Sequence, residues 1–196
     1  MLGRRRPVPG RARRRSTTVL ARTLTHVTAL TLGTTLLSGC DRDAAADAGR
    51  RPPAAAAGAA CQLIEYDLVA NILGTRFDTA GGARKDATLT CALTQAEQPY
   101  PDLTLAVTAS TASEVIFKAT VEPSGSLPVK ALGRTAYRLF PEPVRGGGPA
   151  VELGWLSAKN RIFVLRYTFP AEATDEQAQQ LFPKMLTLAR TIDKAA

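Results

Sequence analysis

Histidine is almost absent from this chain of 196 residues: there is one, His26. With no imidazole after position 26, Ser-His and Cys-His nucleophilic catalysis and the common zinc sites lack their base or ligand in the rest of the chain. Serine with a lysine base is left. Ser113 with Lys118 and Ser157 with Lys159 lie near each other in sequence, but without the spacing of such an enzyme. Aspartate and glutamate number 17, and no spacing singles out a pair for glycoside chemistry. The three glycines of residues 141–149, PEPVRGGGP, follow no strand–helix junction and precede no Lys-Ser/Thr, so they read as a flexible loop rather than a phosphate cradle. No catalytic, cofactor or metal site is expected. The one enzymatic exception is a carboxylate-based hydrolase, which requires two acids within reach of each other in a cleft and one raised pKa.

Long apolar runs are also missing. The longest candidate, Val27–Leu37, covers roughly 16 Å as a helix, well short of a ~30 Å hydrocarbon core. Extending it to the uncharged segment Thr23–Gly39 gives 17 residues, six of them threonine. A spanning helix is therefore not expected there. An arginine-rich start, a short apolar core and a small-residue exit describe a secretory signal. Leu37-Ser38-Gly39-Cys40 resembles the bacterial lipobox, in which the thiol receives a diacylglyceryl group and the chain is cut just before it. The expectation is a signal peptide over 1–39 and a lipidated Cys40. Arg14-Arg15 lacks the apolar residues that follow a twin-arginine pair, which favours the general export route.

The formal charge of +8 and pI near 9.9 would point to nucleic acid if taken whole. Eight of the 25 basic residues are arginines of the head, at 4, 5, 6, 11, 13, 14, 15 and 22, where no acid occurs. The 17 that remain equal the 17 acids. Beyond Arg50-Arg51 no basic cluster is left, and a nucleic-acid partner is excluded.

Residues 40–60 are rich in Ala, Gly, Pro and Asp and hold no large apolar side chain, so they read as a flexible tether. Residues 61–193 have the length of one domain. With Cys40 acylated, Cys61 and Cys91 are the two thiols left in an oxidising compartment. A structural bridge between them closes a loop of about 30 residues; a redox or metal pair is the alternative, which their wide separation disfavours.

Ile64, Leu68, Ile72 and Leu73 at helical spacing, followed by Gly74, predict a helix over 63–73. Leu89, Cys91 and Leu93 alternate with threonines over Thr88–Gln95, and Leu103, Leu105 and Val107 repeat the pattern. Thr111-x-x-Glu114 predicts a short helix near 112–121. Ala131–Phe140, Val151–Leu156 and Arg161–Phe169 read as strands, the last two joined by a turn at Ser157–Asn160. Thr174-x-x-Gln177 opens a final helix whose apolar face runs from Ala178 to Ile192, with a kink or break expected at Pro183. The sum is an α+β fold: an antiparallel sheet of about five strands with helices packed mainly on one face.

Cys61-Gln-Leu-Ile, then Leu73-Gly74, a second cysteine in a strand, Leu132-Gly133-x-x-Ala136 and a leucine-rich last helix resemble a large actinobacterial lipoprotein family known by a domain of unknown function. Ala92 stands where members often carry Trp, and Arg134 where they carry an acid. The resemblance implies an exported, membrane-anchored, disulfide-bonded domain, and it brings no catalytic residues with it.

The function expected is a non-enzymatic binding or interaction module on the outer face of the cell membrane. It would be held there by its lipid anchor and engage an envelope protein or a small apolar ligand. A small lipid or solute carrier is the alternative. Arg145 in the 141–149 loop and Trp155 are the candidate contact residues. For Trp155 the flanking Leu153 and Leu156 favour a core position instead, and deep burial would remove it.

Overall fold

The computed structural model describes residues 51–196. The signal peptide 1–39, the lipidation site Cys40 and the first part of the tether lie outside the described residues.

The described chain opens with two short 3-10 turns, Ala54–Ala57 and Ala59–Leu63, and helix α1, Tyr66–Leu73. Strands β1 (Thr79–Lys85), β2 (Thr88–Gln95) and β3 (Gln98–Ala109) follow, then helix α2 (Glu114–Thr120). Strands β4 (Leu127–Pro128), β5 (Thr135–Leu139), β6 (Gly147–Leu156) and β7 (Arg161–Pro170) lead to helix α3 (Asp175–Ala195). All seven strands form one antiparallel sheet in the order β1-β2-β3-β7-β6-β5-β4. Two meanders, β1–β3 and β4–β7, thus join along the β3–β7 seam.

Seven strands rather than about five correct the sequence-based expectation. β4 is two residues long. β1 reads Thr-Ala-Gly-Gly-Ala-Arg-Lys, with no alternating apolar pattern to announce it. Residues 131–134 also depart from the expected strand: Ala131 and Gly133 take left-handed φ values of 58° and 55°, so β5 starts only at Thr135.

Alternation divides the sheet cleanly. Cys91, Leu93, Leu103, Leu105, Val107, Leu153, Trp155, Phe163, Leu165 and Tyr167 point to one face. There they bury against Val69 and Leu73 of α1 and Leu181, Met185, Leu188 and Ile192 of α3. α2 lies on the opposite face, where Phe117 packs on Tyr137 and Leu156. Gly154 pairs with Tyr137, and the tyrosine ring fills the space a side chain at 154 would need.

The helix ends follow local chemistry. Gly74, at φ 82°, stops α1. Ser113, not Thr111, caps α2, its Oγ accepting from the Ile116 amide at 3.3 Å. Thr174 and Gln177 form the expected capping box on α3. α3 runs through Pro183 without a break. The ring is on the exposed side, while Leu181, Met185 and Leu188 hold the buried stripe against the sheet. Packing there offsets the missing backbone hydrogen bond.

Residues 54–60, part of the expected tether and without large apolar side chains, pack in the structure: Ala54 and Ala60 are buried. Both carboxylate oxygens of Glu65 accept from the Ala54 and Ala55 amides at 3.2 Å, neutralising the open end of the first turn. The Arg51 guanidinium stacks 3.9 Å from the Tyr66 ring centroid and donates to the Phe77 carbonyl at 2.6 Å. Alanine methyls, backbone and two polar anchors fix the segment without any large hydrophobe.

Candidate functional site

Cys61 and Cys91 form a disulfide, with Cα atoms 4.9 Å apart. Cys61 lies in the second 3-10 turn and Cys91 at the middle of β2, so the bridge pins the start of the fold to the sheet's buried face. Both cysteines are fully buried.

Trp155 is fully buried as well. Its ring stacks on Phe163, centroids 4.7 Å apart and planes 4° from parallel, and its indole N–H donates to Asp193 Oδ1 at 2.9 Å. No surface is left for a partner, so Trp155 is withdrawn as a contact residue and assigned to the core. Arg145 sits exposed in the loop before β6. The neighbouring hollow, about 430 Å³ between Phe140–Pro143 and α3, contains Glu142 and Asp175 among its lining residues but not Arg145. The structure therefore does not unite Arg145 and Trp155 in one site.

Both serines of the serine–lysine pairs, and Lys159, make structural hydrogen bonds. Ser113 is the α2 cap. Ser157 is buried, and its Oγ accepts from the Arg161 amide at 3.2 Å in the β6–β7 turn. Lys159 Nζ donates to the Ala196 main-chain oxygen at 2.7 Å. Among the described residues no three His, Cys, Asp or Glu side chains converge as metal ligands.

The carboxylates on the second sheet face are tied into a polar row. Glu152 accepts from the Tyr137 hydroxyl at 2.9 Å and pairs with Arg166 at 3.9 Å. Burial and the adjacent Glu152 push the Tyr137 hydroxyl well above the usual phenol range, so it stays a donor. Asp102 lies on β3, across β7 from Glu152 on β6. Burial raises its carboxyl above the ordinary range, while the Thr168 hydroxyl and Arg166 pull the other way. Two strand spacings, about 10 Å, separate the backbones that carry the two acids. Asp102 lines none of the five surface hollows described.

A different place gathers binding chemistry. Where β1 turns into β2, neither α1 nor α3 lines the main face of the sheet. Arg84 pairs with Leu89, Leu89 with Val107, and Ala109 with Arg161, so these five side chains share that face. Ala59, Ala60, Gln62 and Leu63 of the disulfide-pinned turn form a wall. The result is a solvent-open hollow of about 400 Å³, within the range of small-molecule sites. Its floor is aliphatic and its lining includes two guanidiniums and no carboxylate.

Arg161 is held in position: its Nη2 donates to the main-chain oxygen of Ala196, the last of the 196 residues, and its guanidinium carbon lies 5.7 Å from the Phe163 ring centroid. Arg84 has neither an ion pair nor a side-chain hydrogen bond among the described residues. Sequence reasoning missed both arginines. They belong to strands far apart in the sequence, and only the register brings them to one hollow.

No family model, no curated protein and no solved structure matches this chain.

Proposed function

We propose that this is an exported lipoprotein, anchored through acylated Cys40 on the outer face of the cell membrane, where its domain acts as a non-enzymatic binding module. The observation that carries the reading is the division of its three cysteines. Cys61 and Cys91 are joined and buried, as suits an oxidising compartment. Cys40 is the one thiol left over, and it ends a Leu-Ser-Gly-Cys run behind a basic, apolar head. Among the described residues no helix is long and apolar enough to cross a membrane, so in this reading attachment falls to the acyl chains. Two such chains make a stable anchor, whereas one is marginal.

The described residues begin at Arg51, which already packs on Tyr66, so ten residues at most, 41–50, stand between Cys40 and the packed chain, a reach of at most about 36 Å even fully extended. The anchored domain thus works close to the headgroups. The spacing of Cys61, Gly74, Cys91 and Gly133 supports kinship with the actinobacterial lipoproteins as part of the same reading.

Intact mass spectrometry of the membrane-extracted protein tests it. The expected chain starts at Cys40, carries a diacylglyceryl group, and shows no free thiol under denaturing conditions. A chain that retains residues 1–39, or that yields three reactive thiols, overturns the reading.

A further inference from the structure

We propose that the hollow framed by Arg84, Leu89, Val107 and Arg161 binds a single-chain anionic amphiphile, with an aliphatic body on the sheet and a carboxylate or phosphate head on Arg84. The proposal deepens the binding-module reading above and names its ligand class.

The argument starts from the register. Leu89 and Val107 are directly opposed on β2 and β3, giving a flat aliphatic floor. Leu63 of the walling turn adds a further aliphatic side chain, and Ala87 and Ala109 contribute only methyl groups to the lining. An aliphatic chain laid there removes apolar surface from water on both partners. Arg84 stands on the β1 side of that floor without an internal partner among the described residues, so the head rests there, while Arg161, about three strand spacings away on β7 and already donating to the Ala196 main-chain oxygen, adds positive charge at the other end. A guanidinium stays charged at any physiological pH and presents paired N–H donors that fit carboxylate or phosphate oxygens. Because no acid lines the hollow, a cationic amphiphile gains nothing there. Arg84, with no internal partner among the described residues, gives up no ion pair on binding. The wall is braced by the Cys61–Cys91 bridge, so the ligand does not have to order it.

The test is calorimetric titration of the full chain carrying Cys40→Ser, so that no acyl group of its own competes. Decanoate and decyl phosphate, each below its micellar concentration, are compared with decanol and with butyrate. The expected result is one saturable site for at least one of the two long-chain anions, at least about tenfold tighter than for decanol or butyrate. Preference between the two heads tells a free fatty acid from a lipid phosphate. Arg84→Gln weakens binding at least about fivefold with an unchanged near-ultraviolet signal from Trp155. Arg161→Gln weakens it too, and Arg84 supplies the readout if loss of the Ala196 contact unsettles the fold. Absence of a saturable site for both anions, equal binding of decanol, or full affinity in Arg84→Gln overturns the proposal. If the natural chain is acylated at Cys40 but its Cys40→Ser form binds neither anion, this site alone is overturned; if the natural chain is found without an acyl group at Cys40 and the hollow still binds decanoate, the anchor alone is overturned.

Discussion

The carbonyl oxygen of Ala57 occupies the space above Gly82 that a β-carbon would fill. Gly82 pairs in register with Cys91, so the same spot on the sheet carries the disulfide and the backbone of the first 3-10 turn. A glycine on an edge strand often marks such close approach of another chain segment.

Gly82→Ala should therefore cost about 1–3 kcal/mol, the usual penalty for overfilling a packed contact. The loss should come with faster proteolysis between residues 51 and 60, since the turn is lifted from β1. Urea unfolding and limited elastase digestion after the alanines of residues 54–60 measure both. Gly81→Ala is the control, because a β-carbon there meets nothing within 4 Å. Equal stability of the two variants would contradict the close approach.

Replacing both Cys61 and Cys91 by serine should lower stability by roughly 3–4 kcal/mol, the chain-entropy value for a loop of about 30 residues. The wild-type protein should lose a similar amount on adding dithiothreitol, and the double-serine variant should not respond. Because the bridge at Cys61 pins the turn whose Ala59, Ala60, Gln62 and Leu63 wall the amphiphile hollow, decanoate binding should weaken in the same variant even below its melting temperature. Retained affinity would mean that the wall stands without the bridge.

Trp155 is the one tryptophan and is sealed between Phe163 and α3. Its fluorescence should be blue-shifted and resist acrylamide until the protein unfolds. Trp155→Phe keeps most of the apolar contact but leaves Asp193 without the indole donor, a loss of about 1–3 kcal/mol. Binding at the hollow should be unchanged apart from this stability effect. Ready quenching in the folded state would return Trp155 to the surface.

Much of the architecture was legible because alternation survives in the strands that bury one face. Leu89, Cys91 and Leu93 announced β2, and Phe163, Leu165 and Tyr167 announced β7. The flanking Leu153 and Leu156 correctly favoured a core role for Trp155. β1 was illegible for a physical reason: its Gly81-Gly82 pair carries no side chain to alternate, and Gly82 serves a contact with Ala57 that lies outside local pattern. The order of residues 54–60 was hidden likewise, since Glu65 and Arg51 hold them through polar bonds rather than hydrophobes. The hollow was least visible of all. Arg84 and Arg161 become neighbours of one site only through the β1-β2-β3-β7 register, which no local periodicity encodes.

Asp102 offers a pH test of the second sheet face. One of its carboxylate oxygens is buried without a hydrogen-bond partner, and burial is the main reason its carboxyl is raised. A carboxyl raised in the folded state binds its proton more tightly there than in the unfolded chain, so this group favours folding at low pH. That contribution is fully present below the ordinary carboxylate pKa of about 3.9 and is lost as pH climbs through the raised value. Asp102→Asn keeps the shape and cannot ionise. The melting temperatures of the two proteins should nearly coincide at about pH 3 and separate with rising pH, the asparagine variant becoming the more stable, until the gap levels off above the raised pKa. A gap of constant size from acid to neutral pH would show that the Arg166 and Thr168 interactions cancel the burial, and one of opposite sign that they outweigh it.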